Sequence, residues 1–270
     1  MRLPTLLAFV MFALAPPALQ AETVRAAGTA TGMALLQMLD RQMPDERRPR
    51  LDADPVRLTL GSNGSLRALA AGRIDLAITG RAPKPGDGQF RTIGFAVTPQ
   101  VLASAPRVAP QNLSRRDVVD LFAGRTRQWP DGETVRLVLR APFESDVTVL
   151  RELAPGMGQA IDEAIARKAG PVGETDVDAL ELLARLPGSF GTTTLGLMRT
   201  RDVRLTVHAI DGVTPSTATL ASGHYPMAKR IYLVTRPQPD AATADYVAFL
   251  LSKPVREALR RLDYIPSDNP

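Results

Sequence analysis

GSNGSLRALAAGRIDLAITGRAP, residues 61–83, is the stretch on which the fold turns. Gly61 and Gly64 bracket Ser62 and Asn63 in a turn, and Leu66 and Leu69 follow at helical spacing. A second turn at Gly72 leads into Asp75–Thr79, DLAIT, a short apolar run closed by Gly80 that reads as a buried parallel strand. Ahead of the stretch Val56, Leu58 and Leu60 alternate like a strand, so the junction at Gly61 is a strand feeding a helix N-terminus. Free backbone N–H groups and the positive end of the helix dipole meet at such a point, which can hold an anion without a lysine or arginine. Glycines there also serve plain turn chemistry. What separates the two readings is whether other loops of the chain converge on the same place.

The N-terminal side repeats the pattern. Thr23–Ala27 alternates as a strand, Gly28–Gly32 (GTATG) is a small-residue loop, and Met33, Leu36, Leu39 and Met43 mark a helix. A charged, proline-rich connection from Pro44 to Pro55 leads to the strand Val56–Leu60. The alternation β-α-β-α-β is the signature of an open α/β sheet.

On the C-terminal side, Ile93–Val97 and Val101–Ala103 read as strands interrupted by Thr98-Pro99-Gln100, where the chain is expected to cross to a second domain. Asn112–Gly124 predicts a helix with Ser114 as N-cap, Asp117 in its first turn and Val118, Leu121 and Phe122 on one face. Trp129, the only tryptophan, follows. Arg136–Leu139 is a strand, and beyond Arg140 the residue Ser145 is expected to cap a helix carrying Val149, Leu150 and Leu153, a third strand-to-helix junction. Helices are predicted over Gly158–Lys168, Asp176–Leu186, Asp240–Leu251 and Pro254–Leu262, and strands over Phe190–Met198, Val203–Ile210 and Ile231–Thr235.

Composition bounds the function. The chain has 270 residues, 44% of them apolar and 23% charged, the balance of a folded protein of about two domains. Met1–Ala21, with Arg2, the apolar run Leu6–Leu14 and a small-residue end, has the build of a cleavable secretory signal peptide, too short for a membrane span. Cysteine is absent, which excludes disulfides, a thiol nucleophile and a lipidated cysteine and, with export, points to the bacterial periplasm. The net charge of +5, or +4 without Arg2, favours anionic ligands weakly, and the scattered basic residues argue against nucleic acid. His208 and His224 are far apart with no partner pattern, so neither a metal pair nor a serine-histidine triad is supported. Asp162 with Glu163, and Asp176 with Asp178, read as helix-start and solvent-face charges. No enzyme and no cofactor is expected.

Five segments taken in order, GTATG, GSNGSLRALAAGRIDLAITGRAP, NLSRRDVVDLFAGRTRQW, LPGSFGTTTLGLM and SGHYPMAKRIYLV, the last followed by the terminal helices that end in DYIP, resemble the PBP-like family, in particular its members serving bacterial phosphate ABC transporters. The resemblance covers nearly the whole mature chain. It implies a type II-like periplasmic binding protein: two α/β lobes, residues 22–98 plus 200–270 and residues 99–199, joined by crossing strands with a ligand cleft between them. It also implies a monomer that binds inorganic phosphate or another oxyanion and meets an inner-membrane ABC permease. Carried over by motif, the ligand-binding residues are Thr31, Gly32 and Met33 from the first loop, Ser62 from the second, and Arg140 and Ser145 from the third. Two departures stand out. The family's Ser-Gly-Thr loop reads Ser145-Asp146-Val147 here, with one extra residue after Arg140, and the family's acceptor aspartate falls on Gly80, followed by Arg81. Asp146 therefore either accepts a ligand proton or repels the ligand. The alternative function is a solute-sensing or interaction module of the same fold, with an altered or lost phosphate site.

Overall fold

The computed structural model describes residues 22–43, 48–53 and 59–267. The expected signal peptide, and Val56 and Leu58 of the expected second strand, lie outside these residues. Among the described residues no helix is long and apolar enough to cross a membrane.

The chain opens with β1 (Thr23–Gly28), α1 (Ala30–Gln42), β2 (Arg50–Asp52), α2 (Gly61–Ala70) and β3 (Leu76–Thr79). Next come β4 (Arg91–Ser104), β5 (Asn112–Leu113), α3 (Arg115–Ala123), β6 (Arg136–Leu137), β7 (Leu139–Arg140), α4 (Ser145–Arg151), α5 (Met157–Ala166), β8 (Val172–Gly173) and α6 (Asp176–Arg185). The remainder is β9 (Ser189–Thr194), α7 (Leu195–Thr200), β10 (Thr206–Val207), β11 (Ala209–Ile210), α8 (Thr217–Ala221), β12 (Ala228–Thr235), α9 (Ala241–Leu250), α10 (Lys253–Arg261) and β13 (Ile265–Pro266).

A mixed sheet runs β2-β1-β3-β12-β4-β9-β6, and β4 carries it from one half of the molecule to the other. Residues 91–99 of β4 pair with β12 and residues 100–104 pair with β9, both antiparallel. The expected break at Thr98-Pro99-Gln100 is instead the middle of one 14-residue strand. Pro99 sits at the last pair of one ladder and Gln100 at the first pair of the next, so the chain changes partner without changing direction.

Each half has its own core. One gathers Val24, Met33, Leu36, Leu39, Leu76, Ile78, Phe95, Leu233, Tyr246 and Leu259. The other gathers Leu102, Val118, Leu121, Phe122, Trp129, Leu150, Ile161 and Phe190, and also takes in Ile210, Tyr225 and Met227. A small apolar contact of Ala34 with Leu180 and Leu197 joins the two halves.

Two helices, α1 and α2, start further upstream than hydrophobic spacing suggests, whereas the helix expected from Asn112 starts only at Arg115 because Asn112 and Leu113 form β5. α1 begins at Ala30 because the Thr29 hydroxyl caps it, accepting from Gly32 N at 3.2 Å, so most of the expected GTATG loop is its first turn. Gly32 permits this: a Cβ there would lie 2.5 Å from Ile78 Cγ2 on β3. α2 likewise begins at Gly61 rather than after Gly64. Ser114 does cap α3, in a reciprocal capping box with Asp117. Ser145 does not cap α4; Glu144 takes the cap position and Ser145 is the first helical residue. The strand predicted over Phe190–Met198 ends at Thr194, whose hydroxyl caps α7.

Candidate ligand-binding cleft

Between the halves lies a cleft of about 900 Å³. Its walls are the first turn of α2 with Arg67, the end of β3 with Gly80 and Arg81, the start of α4 with Ser145 and Thr148, and the start of β12 with Lys229 and Arg230. No side chain caps the N-terminus of α2, so its first backbone N–H groups carry the positive end of the helix dipole toward the cleft. The Ser62 hydroxyl accepts from Gly80 N at 3.0 Å, and the Ser145 hydroxyl accepts from Lys229 Nζ at 2.8 Å. The Lys229 side chain is only 2% exposed. It alternates along β12 with Ile231 and Leu233, which places it on the inward face.

A charged cluster is buried beneath this cleft. Arg140 Nε donates to Asp146 Oδ2 at 2.9 Å, Nη2 donates to Asp176 Oδ1 at 2.9 Å, and Nη1 donates to the Gly173 carbonyl. Glu144 lies 3.6 Å from the same guanidinium. Asp176 is held from its other side by Thr31, whose backbone N–H and hydroxyl donate to Oδ2 at 3.2 and 2.7 Å, while Lys229 Nζ lies 3.8 Å from Oδ1. Burial alone would raise the pKa of Asp176. Lys229, Arg140 and the two Thr31 hydrogen bonds outweigh it and hold the carboxyl below its ordinary range. Arg140 is shifted upward: burial pulls its pKa down, and Asp146 and Asp176 more than reverse that. Burial pushes Glu144 up, against the opposing pull of Arg140. Ligand oxygens of Glu144, Asp146 and Asp176 lie within 4.8 Å of one another, but all three carboxylates share Arg140 as their cation.

The residues inferred from the sequence thus divide. Ser62 and Ser145 line the cleft. Thr31, Arg140 and Asp146 lie in the buried cluster, with Asp146 turned onto Arg140. The N–H groups of Gly32 and Met33 are spent on Thr29, and the Met33 side chain is in the first core. An aspartate at Gly80 would have to displace the Ser145 hydroxyl: a Cβ would lie 2.6 Å from Ser145 Oγ and 3.2 Å from Lys229 Cε. Arg81 is paired with Asn63 and Asp87 rather than with the cluster. Asp176 is indeed a helix-start residue, but not a solvent-facing one, since its side chain is 9% exposed. It and Lys229 were missed. The apolar alternation of β12 could have flagged Lys229, whereas no local pattern marks Asp176.

The two histidines take separate places. His208 is buried, stacks on Trp129 and hydrogen-bonds Ser104 Oγ at 2.6 Å, while His224 is exposed beside Ser222.

Two α/β lobes continuous through one strand, with a polar cleft between them, define a solute-binding fold of the periplasmic-binding-protein type. This chain belongs to the PBP superfamily, whose domain model matches residues 15–254. A Clostridium perfringens protein described as a phosphate ABC transporter substrate-binding protein, solved with bound phosphate, is similar at 11% identity over 92% of this chain and 100% of its own, with a TM-score of 0.76. A phosphate-binding protein of Stenotrophomonas maltophilia is 13% identical over 91% of each chain, with a TM-score of 0.67. An ABC-type phosphate transport receptor of Vibrio cholerae is 15% identical over 90% of this chain and 99% of its own, with a TM-score of 0.60. At such identities the likeness is one of fold. No curated protein matches this chain in sequence.

Proposed function

We propose that this chain is an exported solute-binding protein that takes phosphate or a related oxyanion into its inter-lobe cleft and presents it to an inner-membrane ABC permease. One observation carries the reading: the uncapped N-terminus of α2, the Ser145 hydroxyl and the buried Lys229 ammonium border the same cleft. Arg67, Lys84 and Arg230 around the opening add positive potential against Glu144 and Glu152. The fold neighbours include proteins whose descriptions name phosphate, which supports the ligand class. The superfamily is a solute-binding one, and no catalytic role is proposed.

The lobes are proposed as first expected, except that the return crossing moves to the junction of Met227 and Ala228, because Ile210, Tyr225 and Met227 pack in the second core. Residues 1–21 would be removed on export to the periplasm, where the protein would act as a monomer. The test is calorimetry of the mature chain, freed of ligand and titrated with inorganic phosphate, with sulfate as competitor. A saturable heat is expected; the absence of both heat and thermal shift at millimolar phosphate rejects the reading.

The second reading, a solute-sensing or interaction module with an altered site, draws on the cluster itself, since the one cation expected to meet a ligand, Arg140, is engaged by Asp146 and Asp176. Phosphate uptake in permease-containing vesicles that depends on added protein would favour transport over sensing.

A further inference from the structure

We infer that Asp176 is an internal competitor of the ligand: its carboxylate fills an inner anion niche made by Thr31, Arg140 and Lys229, and an incoming oxyanion gains those donors only by displacing it. The inference rests on the oxyanion reading above and concerns how that site is regulated.

The donors around Asp176 come from three separate elements and form what an anion requires. Thr31 supplies a backbone N–H from the first turn of α1, where the helix dipole is positive, and its hydroxyl. Arg140 supplies a charge-assisted hydrogen bond from β7, and Lys229 a buried ammonium from β12. The two oxygens of one carboxylate satisfy this set as oxygens of a ligand would. The contact also spans the cleft. Thr31 and Lys229 stand on elements of the first core and Arg140 on β7 of the second, while Asp176 opens α6, which packs on β8 and β9, so the bound carboxylate ties the lobes together.

With Asp176 in place the niche is closed to a ligand. The void left among Thr31, Arg140, Asp146, Thr193 and Lys229 is about 10 Å³, barely the room of one water and far less than a tetrahedral oxyanion needs. Two polar atoms on side chains more than nine-tenths buried, Thr193 Oγ1 and Asp146 Oδ1, belong to residues lining this void and have no hydrogen-bond partner. Charge points the same way. Arg140 and Lys229 face Glu144, Asp146 and Asp176, so with all groups ionised the cluster is one negative charge in excess before any ligand arrives. Neutralising Asp176 balances it. Lys229 connects the compartments, bonded to Ser145 on the cleft side and attracted to Asp176 on the niche side, so an anion in the cleft competes directly for it.

The experiment compares wild type, Asp176→Asn and Asp176→Ala, each checked for folding by circular dichroism; asparagine keeps the shape and an acceptor for Thr31. Calorimetry with inorganic phosphate is expected to give at least a tenfold tighter Kd in Asp176→Asn. Small-angle X-ray scattering without anion is expected to give a larger radius of gyration for Asp176→Ala than for wild type, reversed by phosphate. Unchanged or weaker phosphate binding in both variants, with wild type binding, overturns the inference. If none of the three proteins binds phosphate, the oxyanion reading fails and scattering alone judges Asp176: equal anion-free radii overturn its role as a tie, and a larger radius in Asp176→Ala supports it.

Discussion

Lys229 donates a hydrogen bond to Ser145 across the cleft at 2.8 Å, while the same ammonium lies 3.8 Å from the Asp176 carboxylate. A buried lysine shared by a hydroxyl and a carboxylate is placed to recognise an anion and is costly to keep without one. Lys229→Met retains the length of the side chain and removes the charge. Loss of one charge-assisted hydrogen bond, about 1.5–3 kcal/mol, predicts phosphate binding weakened by roughly 10- to 100-fold. Titration calorimetry checks this, and unaltered affinity would remove Lys229 from the site.

Arg140 is the shared cation of three carboxylates and is 6% exposed. Arg140→Ala leaves those carboxylates buried without their main partner, which predicts a loss of about 3–5 kcal/mol of stability. Urea unfolding measures it. A loss below 1 kcal/mol would mean that water or local movement solvates the cluster.

A Cβ on Gly80 would meet Ser145 Oγ at 2.6 Å and Lys229 Cε at 3.2 Å, closer than ordinary contact. Gly80→Ala forces the Ser145 hydroxyl or the lysine stem aside, and overpacking of this kind predicts about 1–3 kcal/mol of destabilisation. Because the Lys229–Ser145 hydrogen bond is disturbed at the same time, phosphate affinity is expected to fall as well. Wild-type stability together with wild-type affinity would show that the position tolerates a side chain.

His208 is fully buried, and burial lowers its pKa to about 4 from an ordinary 6.5. Gln111 N donates to Nδ1, which assigns the ring proton to Nε2 and makes Ser104 Oγ its acceptor. The unfolded chain binds this proton at higher pH than the folded one. The stabilisation is therefore complete above pH 6.5 and is lost as pH falls toward 4, by up to about 3 kcal/mol. Urea midpoints of wild type and His208→Gln across that window test it. The variant should show a flatter dependence, and matching slopes would assign the loss to other groups.

Much of the fold was legible because its signals are local. Strand alternation at Thr23–Ala27, the buried run at Asp75–Thr79 and the Ser114–Asp117 cap each depend on neighbours within a few positions. Helix boundaries were less so. The starts of α1 and α2 are apolar-poor turns whose glycines look like loop residues until strand β3 is seen packed against Gly32. Pro99 looked like a break because local sequence carries no record of which strands lie on either side.

By itself the sequence determined the α/β alternation, the strand-to-helix junctions at α1 and α4 and the presence of Ser62 and Ser145 at two helix starts, since periodicity and turn chemistry are properties of short segments. Only the tertiary structure decided where the charges meet. Asp176 and Thr31 are 145 positions apart and touch because two lobes close on each other, and Lys229 reaches both Ser145 and Asp176 because β12 sits between β3 and β4. Whether a carboxylate is a solvated helix-start charge or a buried partner of an arginine and a lysine depends on the dielectric and the donors around it, and those are assembled only by packing.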